Sequence, residues 1–263
     1  MRKFLFRSLV ELTGNPIASS LLKKITSSSA SRFLIKPFAK ANALNTEEMA
    51  RQLHEYKSLQ DLFTRELKPG IRPVDPSPQS VVSPVDGVLT SFGKISEQDS
   101  FLVKGQDYKL DSILGNQEKA KQFSKGWYFI FYLSPSHYHR IHSPVNGEIE
   151  EQWSCGGKSY PVNELGMKHA PKPLSTNYRL ITMLTNTNCQ MAVIKVGALN
   201  VNSIHFTHNH TSINKGNEMA YFSFGSTVVL LIGSAFEPCE SLKLNMSVQY
   251  GNRIGMITDT HLE

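Results

Sequence analysis

Four side chains in this sequence carry groups able to make and break bonds, and they fall in three short motifs. Ser226 stands in Phe224-Gly225-Ser226-Thr227-Val228-Val229-Leu230, where a small hydroxyl residue heads an apolar, β-branched run near the C-terminus. His139 and His142 stand in Tyr138-His139-Arg140-Ile141-His142-Ser143-Pro144, and Asp86 stands in Ser83-Pro84-Val85-Asp86-Gly87. A serine hydroxyl is a poor nucleophile until a base takes its proton, and that base is commonly oriented by a third group. A serine, two imidazoles and a carboxylate are the residue types such chemistry uses. Gly225 has its own rationale: without a Cβ it adopts backbone angles other residues avoid and lets a nucleophile approach its carbonyl.

Taken one at a time, these residues have ordinary explanations. Asp86 before Gly87 reads as a turn residue, a lone histidine as surface or structure, and Ser226 as a small residue opening a buried strand. His137, His139 and His142 suggest a metal cluster, as do His205, His208 and His210. No carboxylate adjoins the first set, and the second reads as strand and loop surface, so no metal site is expected. A serine hydrolase is one reading of the set, since Asp86, His142, Ser226 is an admissible triad order. Against it, the Gly-x-Ser-x-Gly elbow is missing and no βαβ alternation supports an α/β-hydrolase. A basic module that binds membrane surfaces without catalysis is another.

The elements that must position these residues show in the texture of the chain. The 263 residues, 40% hydrophobic and 19% charged, describe a globular protein with one large domain or a core plus an appendage. The longest apolar runs are too short to span a bilayer, and no secretory signal is evident. Three cysteines without a Cys-x-x-Cys pair fit a reducing compartment. Residues 1–40 carry eight basic residues against the single acid Glu11, a charge of +7, while the whole chain carries +6. Leu5, Leu9 and Val10, then Leu21, Leu22 and Ile25, recur at helical spacing, broken by Gly14-Asn15-Pro16 and Ser27-Ser28-Ser29. Two readings stand for this segment: amphipathic helices on an anionic membrane surface, or helices packed on the core with a solvated basic face. A nucleic-acid partner is not expected, because no recognition fold follows.

A last short helix is predicted over 61–67. From Val81 onward, strand-like runs separated by turn residues are predicted at 88–92, 127–133, 191–196, 203–207 and 227–232. The fold class is therefore α+β: short N-terminal amphipathic helices followed by a β-rich core. The expected division is a basic, membrane-associating helical segment over 1–60 and a β-rich catalytic domain over 61–263.

The motifs, in order, resemble the phosphatidylserine decarboxylase family of the bacterial, pyruvoyl-dependent type. The resemblance runs from Phe63-x-Arg65-x-Leu67-Lys68-Pro69-Gly70-x-Arg72-Pro73 through the Asp86 and histidine motifs. It continues with Tyr160-Pro161-Val162-Asn163 and Val196-Gly197-Ala198 to the stretch from Lys215 to Thr227. Ala220 stands where the family commonly has glycine, and Phe224 where leucine or glycine often precedes Gly-Ser-Thr; neither removes a reacting group. The resemblance implies a proenzyme that cuts itself between Gly225 and Ser226 into a β chain of residues 1–225 and an α chain of residues 226–263. Ser226 would attack the Gly225 carbonyl to give an ester. Elimination would leave dehydroalanine, and hydrolysis would release ammonia and leave a pyruvoyl ketone at the new N-terminus. That covalent cofactor would condense with the substrate amine and accept the electrons released as carbon dioxide departs. By resemblance, Asp86 orients His142, the base for cutting, and His139 assists decarboxylation. The implied substrate is phosphatidylserine and the product phosphatidylethanolamine. The implied location is peripheral, on the cytoplasmic side of the cell membrane, with the α and β chains associated and a higher oligomer left open.

Overall fold

The run from Ser226 to Ile232 forms a strand buried along its whole length. Val228, Leu230 and Ile232 point into one apolar cluster, and Val229 and Leu231 into another on the opposite face. A strand buried on both faces needs a continuous apolar sequence rather than an alternating one, which is the pattern the sequence carries here. The computed structural model describes residues 24–198, 204–223 and 226–258. The helices expected around Leu5–Val10 and Leu21–Leu22, their Gly14-Asn15-Pro16 break, and the residues Phe224 and Gly225 lie outside the described residues.

Ser226–Ile232 sits inside an eight-stranded antiparallel sheet. The spatial order is Ser212–Ile213, Gly147–Cys155, Arg179–Asn186, Cys189–Gly197, Ser226–Ile232, Trp127–Leu133, Gly87–Lys94 and Met246–Val248. A second sheet orders Ile204–Phe206, Glu218–Phe222 and Arg140–His142, and a third orders Ser80–Val82, Arg253–Ile257 and Phe236–Pro238. Short helices Leu110–Leu114, Gln117–Lys121, Glu164–His169 and Pro173–Thr176 fall between the strands. The five predicted strand regions are all occupied by strands, and the α+β class stands.

The helical segment has a small core of its own, built from Ile35, Ala39, Leu44, Met49, Tyr56, Leu59 and Leu62. A 3-10 turn over Ser29–Leu34 leads into the helix Ile35–Ala41. The helix predicted over 61–67 occupies Leu59–Phe63 instead, capped by Ser58, whose Oγ accepts from the Asp61 N–H at 3.1 Å. It stops early because the residues beyond it pair with the upstream chain. Ala50 N–H donates to the Glu66 carbonyl at 2.9 Å, and Met49 bridges Leu67. The helix straddles the expected division at residue 60. Away from this packing, Phe33 is 87% exposed, Ile25 and Leu34 are also exposed, and so are Lys24, Arg32, Lys36 and Lys40.

Candidate active site

Ser226 is the first residue of its strand, paired in register with Leu133 on one side and Gly197 on the other. It is fully buried, and its Oγ has no hydrogen-bond partner among the described residues. A buried hydroxyl without a partner costs about 1–3 kcal/mol, so the fold holds this group in a state it would not choose for stability. Gly225, the other half of the expected scissile bond, lies outside the described residues.

Leu133 ends its strand and the chain turns into the histidine motif. Phe222 N–H donates to the His139 carbonyl at 2.9 Å, which fixes that motif against the strand leading toward Ser226. The His139 ring is buried and lies against Phe63, tilted by 41° with centroids 4.0 Å apart. Its Nδ1 lies 2.9 Å from the His137 carbonyl oxygen. A carbonyl only accepts, so Nδ1 carries the proton and Nε2 the lone pair. Among the described residues Nε2 is buried without a hydrogen-bond partner, with the Leu133 backbone close enough to act on the ring. Burial, and then the Arg65 guanidinium, push this imidazole well below its ordinary pKa, while the backbones of His137 and Leu133 act the other way. His139 is thus a neutral base with a fixed tautomer, bordering the cross-strand neighbour of Ser226.

His142 is held differently. Its Nδ1 donates to the Gly216 carbonyl at 2.8 Å, and its Nε2 accepts from the Tyr138 hydroxyl at 3.2 Å. Its ring stacks on Tyr250 at 3.8 Å, nearly parallel. Burial lowers its pKa to about 4, against the Gly216 contact and the Asp86 charge, which raise it. Gly216 takes φ +82°, and a Cβ there would come within 2.6 Å of Val74, so the carbonyl that fixes the His142 tautomer depends on glycine.

Asp86 lies on the turn before Gly87–Lys94, with its carboxylate buried. It accepts from Arg72 Nε at 3.0 Å, Arg72 Nη2 at 2.8 Å and the Tyr250 N–H at 2.9 Å. Arg72 also meets Glu48 at 2.7 Å. Burial alone would lower the Arg72 pKa, but the contacts to Glu48 and Asp86 raise it, so the guanidinium stays charged. A Cβ at Gly87 would lie 2.8 Å from the Tyr132 carbonyl oxygen, so this turn reaches the central sheet only with glycine there.

The structure gathers all four predicted residues about one end of the central sheet, but not as a hydrogen-bonded triad. Asp86 reaches His142 through charge and through Tyr250, whose backbone it holds and whose ring covers the imidazole. Both His142 nitrogens are engaged elsewhere. The arrangement is not a hydrolase triad, and for His142 to take the Ser226 proton its Nε2 must give up the Tyr138 hydroxyl. Sequence reasoning assigned no role to Arg72, Tyr138 or Arg65, although each lay inside a quoted motif. Tyr250 carried no local signal, being 164 residues from the carboxylate it binds.

The family described as Phosphatidylserine decarboxylase matches residues 59–256. A phosphatidylserine decarboxylase proenzyme of Halalkalibacterium halodurans is 49% identical over 255 residues, covering 97% of this chain and 98% of that relative. Proteins of the same name from Geobacillus kaustophilus and Anoxybacillus flavithermus are each 48% identical, over 99% and 98% of this chain and 99% and 97% of those relatives. With the matched stretch running from the Arg65 motif to the last core strand, the chain belongs to the phosphatidylserine decarboxylase family.

Proposed function

We propose that this chain is a proenzyme that cuts itself between Gly225 and Ser226, converts Ser226 to a pyruvoyl group, and decarboxylates phosphatidylserine to phosphatidylethanolamine at a membrane surface. The observation that carries the reading is Ser226 itself: a buried, unpartnered hydroxyl heading the central strand of a chain in this family. An orphaned Oγ fits a residue whose hydroxyl is consumed in making the cofactor. Once formed, the pyruvoyl group supplies the electron sink for loss of carbon dioxide.

The surrounding residues divide the remaining work. Asp86 and His142 serve cutting, with Tyr250 and Arg72 holding them in place. His139, neutral and with its free lone pair at Nε2, takes and returns a proton during decarboxylation. The buried walls about Ser226 keep water from the reacting carbon. After cutting, residues 226–258 would stay with the larger chain, because Ser226–Ile232 pairs along its full length with Trp127–Leu133 and with Cys189–Gly197. Access to a two-chain lipid falls to the basic, apolar face around Phe33, which sits on the membrane surface.

Intact mass tests this reading. The active protein should be two chains of 225 and 38 residues, and 38 of the 263 residues of a 29.5 kDa chain is roughly 4 kDa for the small one. Its N-terminus should resist Edman degradation, since a ketone replaces the amine. Active protein that remains one full-length species would overturn the proposal.

A further inference from the structure

Arg65 is a buried guanidinium that, among the described residues, no carboxylate meets through a hydrogen bond. It is 4% exposed; its Nη2 donates to the Ser136 and His137 carbonyls at 2.8 Å each, and its Nη1 is buried without a partner among the described residues. The His137 carbonyl oxygen that takes Nη2 also takes His139 Nδ1 at 2.9 Å, so guanidinium and imidazole lie side by side on one acceptor. His139 in turn borders Leu133, the strand neighbour of Ser226. Arg65 Nη1 and His139 Nε2, both buried and without a partner among the described residues, thus belong to neighbouring side chains joined through the His137 carbonyl. Arg65 is placed there deliberately by its surroundings: Arg140 clamps the preceding Thr64 carbonyl through two donors, at 2.9 and 3.1 Å.

A buried cation with a spare donor calls for an anion. The decarboxylase substrate carries two, a carboxylate and a phosphodiester. A guanidinium bonded to the carboxylate would favour the ground state, in which that charge is localised, and oppose its loss as carbon dioxide. The phosphodiester keeps its charge throughout and is separated from the reacting carbon by one methylene and one oxygen. The phosphodiester is therefore the anion that a fixed cation can bind without opposing the reaction. We infer that Arg65 binds the head-group phosphodiester through Nη1 and sets the preference of the enzyme for phosphorylated serine head groups. The inference rests on the decarboxylase reading for its substrate.

The test compares processed wild type with Arg65→Gln and Arg65→Lys. Two substrates are used: dihexanoylphosphatidylserine, and an O-alkyl serine of matched chain length that lacks the phosphate. Arg65→Gln should lose on the order of 100-fold in kcat/KM on the phosphodiester, the scale of one charge-assisted bond, with Arg65→Lys recovering part. On the phosphate-free substrate the loss in Arg65→Gln should be at least tenfold smaller than on the phosphodiester, the residual loss reporting the contact Arg65 shares with His139. Binding of glycerophosphoglycerol, a phosphodiester with no amine, is measured alongside by calorimetry and should weaken in Arg65→Gln. Equal losses on both substrates would make Arg65 a support for His139 and overturn the inference, as would undiminished diester binding. Binding is read without turnover. A chain that bound the diester through Arg65 yet decarboxylated neither substrate would keep this assignment and sink the decarboxylase reading.

Discussion

Asp86→Asn separates two jobs that the carboxylate could perform. In the structure it is chiefly the buried counter-ion of Arg72, with side chains 7% and 6% exposed. Removing one partner of a buried pair costs about 3–5 kcal/mol, because the other charge stays buried. Two contacts soften the loss here. The asparagine oxygen can still accept from the Tyr250 N–H, and Glu48 still holds Arg72 at 2.7 Å. The expected loss is therefore at the low end, about 3 kcal/mol. It is best measured by urea unfolding in a Ser226→Ala background, where the chain stays uncut and a single transition is meaningful. Arg72→Met should cost a similar amount, and the double variant clearly less than the sum, with a coupling of about 2 kcal/mol. In the cleavable chain, Asp86→Asn should slow cutting because a neutral amide holds Tyr250, and with it His142, more weakly than the carboxylate does. A stability change under about 0.5 kcal/mol, together with abolished cutting, would refute the anchoring argument and return Asp86 to a purely chemical role.

Further outcomes are expected. His139→Ala should be cut but fail to decarboxylate, whereas His142→Ala should fail at cutting; gel analysis of chain ratio beside activity on the processed fraction distinguishes them, and full activity of His139→Ala would remove its assignment. His142 titrates near 4 in the fold against an ordinary 6.5, so its contribution is present above pH 6.5 and lost as pH falls toward 4. Urea midpoints of the uncut protein should drop across that window, less steeply in His142→Gln. Lys195 is buried, bonded to Thr182 Oγ1, and lowered by burial to about 7 from 10.5. Stability should therefore rise with pH between 7 and 10.5, and Lys195→Met should flatten that rise and stabilise the fold at pH 7 by on the order of 2 kcal/mol. A flat wild-type profile would refute this. Vesicle flotation should show anionic-membrane binding that weakens with salt. Each of Lys24, Lys36 and Lys40 changed to Gln should cost about 1 kcal/mol, Phe33→Ser should remove a salt-resistant part, and cutting should be unchanged. Equal flotation of all variants would leave the segment as packing alone.

The local pattern of the chain determined much of this by itself. A short, β-branched apolar run behind Ser226 reads as a strand covered on both faces, and it is one. The turn at Asp86-Gly87 was legible, whereas the close approaches that a Cβ at Gly87 or Gly216 would block came only with the fold. The basic N-terminal charge and the order of the motifs are properties of the string, as is the family. What the string could not contain is which side chains meet. Asp86 and Arg72 stand fourteen residues apart and Asp86 and Tyr250 one hundred and sixty-four, joined by sheet register rather than by spacing. Local propensity also favoured carrying the helix through Leu67, but pairing with Met49 and Ala50 ended it at Phe63 and left Arg65 beside His139. Hydrogen-bond partners decide which imidazole nitrogen is free and which carboxylate is occupied, and those partners come from distant strands. The tertiary structure alone therefore set Asp86 against Arg72, closed both nitrogens of His142, and left His139 with an open one.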